Sequence, residues 1–226
     1  MPLLNAASAI YVGESLIDAA YMGAVQAWSP ATPPGSFTSL DPARTGSGIT
    51  LSNNNLTASG TGANISVALV PKSAATANYY WEAAVDVLPS YVAVGVFPDT
   101  GTFDGEFLGQ SDGGGAWSDG STNYGSAYQS GSMFGYGEGD VLQLWLYLGL
   151  LYIGRVGDGW WRGDTNVFEP TPHLGGGHVF DVPDATSVSP AMSFFDGSTD
   201  SITFNFGASA FAGSVPSGGV GGWPDS

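Results

Sequence analysis

In residues 81–87 the odd positions Trp81, Ala83, Val85 and Val87 are apolar, while Glu82 and Asp86 fall on the other side. A period of two of this kind predicts a half-buried strand. The alternation recurs at 201–206, with Ile202, Phe204 and Phe206 expected inward and Ser201, Thr203 and Asn205 outward. Leu142, Leu144, Leu146 and Leu148 share one face of a longer strand, and Gly149 is placed to make the tight turn into a partner strand at 150–153. No stretch sustains apolar residues at i, i+3, i+4 and i+7 with caps, so helices are not expected. Short alternating segments punctuated by Gly, Asn, Asp and Pro read as the antiparallel strands of a sandwich. The predicted class is all-β.

The same punctuation divides the chain. Pro30, Pro33 and Pro34 stiffen residues 30–36 into a short linker. Before it, residues 1–29 carry a small repeat at an offset of ten: Ile10-Tyr11-Val12-Gly13 returns as Ala20-Tyr21-Met22-Gly23, and Trp28 closes the unit. So short a segment cannot build its own core, and it is expected to form a small hairpin ordered against the following domain or against a partner. Residues 37–218 make the sandwich, and 219–226 read as a flexible Gly-rich tail unless Trp223 is docked. Two long polar stretches, 110–131 and 162–184, are expected to be functional loops.

Charge removes several functions. The chain of 226 residues has 20 Asp and Glu against 4 Lys and Arg, a net charge of −16. Its only cations are Arg44, Lys72, Arg155 and Arg162, too few to neutralise nucleic-acid phosphates or to dock on anionic lipid. With 43% hydrophobic residues it is no disordered acidic tail. The longest apolar run, 144–153, is about half of what a membrane helix needs, so no membrane insertion is expected. The absence of Cys excludes thiol chemistry and disulfide frameworks.

Catalysis finds little material. Glu82 and Asp86 would stand about 13 Å apart on one strand face, too wide for a retaining carboxylate pair. Asp104 and Glu106 flank Gly105 and read as a solvated acidic turn. His173 and His178 have no nucleophile elbow to serve, and His178 follows three glycines as a loop residue. Asp99, Asp104, Asp112, Asp119 and Asp164 sit in Gly-rich turns without a calcium-loop spacing, so no metal or other cofactor is assigned. The chain is expected not to be an enzyme.

Aromatics among small polar residues point to binding instead, because they give rigid anchors beside adaptable hydrogen-bonding groups. Trp117, Tyr124 and Tyr128 lie in the first polar stretch, and Trp161 and Arg162 beside the second. Trp117 and Tyr124 are expected to be exposed, Trp160 to be core, and Trp161 to be either.

Several motifs in order resemble one family. Tyr79-Tyr80-Trp81-Glu82, Val94-Gly95-Val96, Tyr136-Gly137-Glu138-Gly139-Asp140-Val141-Leu142, Gly157-Asp158-Gly159-Trp160, Ser189-Pro190-Ala191-Met192-Ser193 and Asn205-Phe206-Gly207 together resemble a SPRY-type domain, a concanavalin-like antiparallel β-sandwich. The likeness covers about residues 78–218. It implies recognition of partners by loops at one end of the sandwich. The chain departs from the family where the strand after Gly139-Asp140 lacks the usual Asp, at Tyr147–Leu148. The strand is thus apolar on both faces, and burial under a neighbouring subunit is expected.

The N-terminal repeat resembles the Tyr-x-Gly segments of tail and other virion proteins of tailed bacteriophages, carried here by Tyr11, Gly13, Tyr21, Gly23 and Trp28. Together the two resemblances imply a non-enzymatic virion appendage, tail fibre or head decoration. Its expected partners are other virion proteins, further copies of itself, and a host-surface glycan or protein. A free-standing glycan- or receptor-binding module is the alternative, and a glycan hydrolase the remote one.

Overall fold

The structure is a computed structural model of the chain. It describes residues 37–226 except 69, 100–101, 111–112, 125–126, 130–132, 164, 175–178, 183–186, 197–198 and 226, with backbone alone at 67, 127–129 and 180. Within the first 36 residues it describes the backbone of four short strands. The chain divides into two compact units, Met1–Ser36 and Phe37–Ser226.

In the first unit each copy of the repeat makes its own antiparallel pair, Tyr11–Val12 with Ser15–Leu16 and Ala20–Met22 with Val25–Trp28. Two pairs thus stand where one hairpin was expected. Tyr11, Tyr21 and Trp28 are on strand backbone, while Gly13 and Gly23 lie outside the described residues.

The second unit is a sandwich of two sheets. The first runs, edge to edge, Val167–Glu169, Gly159–Arg162, Leu150–Arg155, Val141–Tyr147, Asn78–Val87, Asp200–Asn205, Thr57–Gly60 and Ile49–Ser52. The second runs Ala127–Gln129, Thr122–Tyr124, Gly114–Trp117, Val92–Pro98, Ser187–Phe194, Asn64–Ala68 and Leu40–Thr45. Neighbours along both paths are antiparallel. The only helical turn among the described residues is the 3-10 turn Ala74–Thr76.

The inward faces follow the alternation. Trp81, Ala83 and Val85 from one strand, Leu142, Leu144 and Leu146 from its neighbour, and Ile202, Phe204 and Phe206 meet Val92, Val94 and Val96 of the opposite sheet in one core. Burying each large apolar side chain there is worth about 1.5–3 kcal/mol. Two positions depart. Val87 is exposed because the register with Asp200–Asn205 shifts between Val85 and Val87. Leu148 is exposed because it leaves the strand for the turn, where Leu148 and Gly149 both take the left-handed conformation, at φ 48° and 79°. That is the geometry a two-residue hairpin requires.

Both sheets are also covered outside, which the alternation conceals. On the first sheet Tyr80, Trp145, Tyr152 and Trp160 form a second buried cluster under Phe211 and Val215. The apolar outer face around Trp145 is therefore buried by the chain's own C-terminal segment. Glu82, expected on a polar face, is buried there too: its carboxyl group accepts from Tyr80 Oη (2.7 Å) and from the backbone N–H of Ala212 (3.0 Å) and Gly213 (2.7 Å). Burial, the hydrogen bond to Glu82 and its charge hold the Tyr80 phenol far above the ordinary tyrosine range.

Residues 219–226 are not a loose tail. Val220–Gly221 pairs in parallel with Asn78–Val87, and Trp223 is fully buried in the main core, its Nε1 donating to Val70 O at 2.6 Å. Nor is 110–131 one loop. It contains the strands Gly114–Trp117, Thr122–Tyr124 and Ala127–Gln129, a meander that widens the second sheet. The second polar stretch likewise holds Val167–Glu169 and Phe180–Asp181.

Candidate binding cleft

Three turns gather at one end of the sandwich. Residues 88–91 lead into Val92–Pro98, 118–121 join Gly114–Trp117 to Thr122–Tyr124, and 195–196 follow Ser187–Phe194. Tyr136 ties this end together from beneath. Its buried hydroxyl lies 2.9 Å from Val92 O and 2.8 Å from Ala116 O and donates to that pair of carbonyls. Burial, reinforced by the charge of Asp119, raises its pKa well above the ordinary value.

The outer face of the second sheet supplies the floor. Adjacent strand residues face opposite ways, so Ala116 enters the core and Trp117 points outward. The segment after Pro98 then returns across this face, where Phe97, Ala93, Ile65 and Ala191 pack with Trp117, Leu108, Phe103 and Phe107. Leu108 N–H donates to Ser193 Oγ at 3.1 Å, which fixes the crossing. Gly109, at φ 83°, lies so close to Asn123 that a Cβ there would strike it.

Between this segment and the gathered turns lies a cleft of about 270 Å³, lined by Tyr91, Phe107, Trp117, Asp119, Ser121, Asn123 and Phe195. Phe107, Trp117 and Phe195 meet pairwise edge to face, with centroid separations of 5.4, 5.3 and 5.9 Å and interplanar angles of 79°, 73° and 86°. The three planes are thus mutually near-perpendicular, like the faces at the corner of a box. Trp117 is 5% exposed, whereas Phe195 and Tyr91 are 47% and 48% exposed. One wall is anchored and two can be reached.

The polar groups of the cleft are few. Asp119 is exposed, and its Oδ1 accepts from Ser121 N–H at 2.9 Å and Ser121 Oγ at 2.6 Å. Trp117 Nε1 and Asn123 Oδ1 are buried without a hydrogen-bond partner among the described residues. Beside the cleft, a more polar recess shares Tyr91 and Asp119 and adds Ser90, Tyr136 and Asp196. Under it Asp200 is fully buried, with Ser90 N–H donating to its Oδ1 at 3.2 Å and Oδ2 unpartnered among the described residues. Burial raises its pKa to about 6, the Ser90 hydrogen bond opposing and the Asp196 charge adding to the shift.

Of the expected binding residues, only Trp117 lines this cleft, and it is buried where exposure was expected. Its neighbours Phe107 and Phe195 cover it. Tyr124 is half-buried against the core, and the side chain of Tyr128 lies outside the described residues. Trp161 and Arg162 belong to the other sheet: Trp161 packs edge-on against Phe168 and tilted against Phe134, and Arg162 Nη1 donates to Glu169 at 2.9 Å. Trp160 is buried as expected, though on the outer face. Tyr91, Phe107 and Phe195 were missed by sequence reasoning. Each stands alone in a different turn, and only the fold brings them together.

Of the other polar candidates, Asp104 accepts from Ser47 N–H at 2.6 Å, Asp99 pairs with Arg44 at 3.4 Å, and His173 Nδ1 lies 3.7 Å from Glu169. Asp112, Asp164 and His178 lie outside the described residues. No group of three or more metal-ligating side chains occurs among the described residues.

No protein-family model matches the sequence, and no curated protein matches it. Solved structures match it in fold. The SPRY domain of human HERC1 is 13% identical, with a TM-score of 0.55, over 76% of this chain and 99% of that one. The PSpry domain of TRIM65 is 13% identical, with a TM-score of 0.54, over 75% and 92%. Stonustoxin is 17% identical, with a TM-score of 0.53, over 82% of this chain and 32% of that one. Residues 37–226 therefore have the SPRY-type β-sandwich fold.

Proposed function

We propose that the chain is a non-enzymatic binding module that recognises a protein partner through the aromatic cleft of Tyr91, Phe107, Trp117 and Phe195. The carrying observation is the half-exposed pair Tyr91 and Phe195 standing over a buried Trp117 beside unpartnered polar atoms. Rigid aromatic anchors with a small number of polar groups are what protein-recognition hot spots are made of. The SPRY-type fold supports the same reading, since its turns collect at one end of a stiff sandwich.

The setting we propose is a bacteriophage particle. The first unit would attach to other virion proteins through Tyr11, Tyr21 and Trp28, and copies of the sandwich would be displayed outward toward a host-surface protein or glycan. Support for this finer reading is the Tyr-x-Gly repeat, the division of the chain after Ser36, and a surface charge that opposes nonspecific adhesion.

The module reading is tested by selecting peptides from a random library against the whole chain and measuring their affinity for the Phe195→Ala and Tyr91→Ala variants. Affinity should fall at least about tenfold, as loss of a hot-spot aromatic implies. Unchanged affinity in both variants would place recognition elsewhere.

A further inference from the structure

The cleft has a chemistry more specific than apolar. Three rings at mutually steep angles, 79°, 73° and 86°, turn π-faces and edges along three directions around one small volume. The face of an aromatic ring is electron-rich and attracts a cation within about 6 Å of its centroid, and enclosure by several rings is how quaternary ammonium groups are held. Asp119, which lines the cleft, has both its hydrogen bonds on Oδ1, leaving Oδ2 without a hydrogen bond among the described residues. None of the chain's four cations lines the cleft. Arg44 and Arg155 pair with acids elsewhere, as does Arg162, and Lys72 lies over Tyr79.

Resting on the reading of this cleft as the recognition site, we infer that it takes an alkylated ammonium group, the head of a methylated lysine on a protein partner. A primary ammonium brings three N–H donors and a guanidinium five, and the lining, mostly aromatic, sets only the oxygens of Asp119, Ser121, Asn123 and Tyr91 against them. A trimethylammonium head brings no donor of its own that burial would leave unpaired. At about 270 Å³ the cleft is small for a whole ligand and suits the end of one side chain. A choline phosphate would bring its phosphate beside Asp119 and Asp196, charges of like sign; a lysine stem brings none. A net charge of −16 steers a cationic partner toward the surface.

The test is a titration of the whole ¹⁵N-labelled chain, read at the Trp117 indole N–H, with five probes at constant ionic strength. These are Nα-acetyl-trimethyllysine methylamide, its unmethylated lysine counterpart, choline, phosphocholine, and 3,3-dimethylbutanol as the neutral isostere of choline. The trimethyllysine derivative and choline should shift the signal, with the lysine derivative and the neutral isostere at least about fivefold weaker. Phosphocholine should bind less tightly than the trimethyllysine derivative. Asp119→Asn and Phe195→Ala should each weaken the trimethyllysine probe several-fold while leaving the melting temperature near that of the parent. An equal response to 3,3-dimethylbutanol would overturn the cation, and preference for phosphocholine would overturn the lysine source. No response to any ammonium probe, with library peptides still bound at the cleft, would overturn this inference and leave the module reading standing. Loss of both would end both.

Discussion

The indole of Trp117 and the ring of Phe195 meet at 86° with centroids 5.9 Å apart, the first almost wholly buried and the second half exposed. One ring belongs to the packing of the sandwich and the other to its surface. Substitution therefore separates stability from binding. Trp117→Ala should cost about 3–5 kcal/mol, the range for truncating a buried aromatic. Phe195→Ala should cost about 1 kcal/mol or less while removing most of the affinity for any ligand of the cleft. Urea denaturation of both variants, set beside peptide affinity, checks the split.

Glu82 is the polar centre of the opposite outer face. Its two carboxyl oxygens take three donors, from Tyr80, Ala212 and Gly213. Glu82→Gln puts an amide donor where an acceptor stood, so at least one buried group loses its partner, at a cost of about 2–4 kcal/mol. The segment carrying Phe211 should loosen first, seen as faster amide exchange at Ala212 and Gly213.

Trp223 closes the main core from the C-terminal end, its ring 5.3 Å from Trp81 at 83° and 5.2 Å from Tyr79. Trp223→Ala is expected to destabilise the sandwich by about 3–5 kcal/mol, like any large aromatic removed from a packed interior. A tail of no structural consequence would show no change in the denaturation midpoint.

Asp200 gives stability a pH dependence. Its carboxyl group is held at about 6 in the folded chain, above its ordinary value of 3.8, so the folded state binds the proton more tightly. Stability from this group is full below about pH 4 and declines as pH rises toward 6 and beyond. Asp200→Asn, which carries no charge to desolvate, should be more stable than the parent at pH 7, by on the order of 1–3 kcal/mol, with the gap closing near pH 4. Melting curves of both proteins at pH 4, 5, 6 and 7 decide it.

Much of this fold is legible in the sequence, because Trp81-Ala83-Val85 and Ile202-Phe204-Phe206 alternate cleanly and Gly149 falls where a turn is needed, although Leu148 joins that turn instead of the strand. What it hides is everything laid on the outer faces. Glu82 has the look of a solvated residue because the alternation says only that it points away from the core. That it is roofed by Ala212 and Gly213, some 130 residues on, is a long-range fact. The meander at 110–131 escaped for another reason: Gly114 and Gly115 carry no side chains to display a period. Trp117 was legible as a candidate by its polar setting. Its partners were not, since Tyr91, Phe107 and Phe195 come from three separate connections and each alone is an unremarkable surface aromatic.

The central claim is tested most directly by mapping a library-selected peptide onto the chain by ¹H–¹⁵N NMR. Perturbed amides should cluster at Tyr91, Phe107, Trp117, Asp119, Asn123 and Phe195. A cluster instead around Gly157, Asp158 and Ser214, in the larger cleft on the outer face of the first sheet, would contradict it.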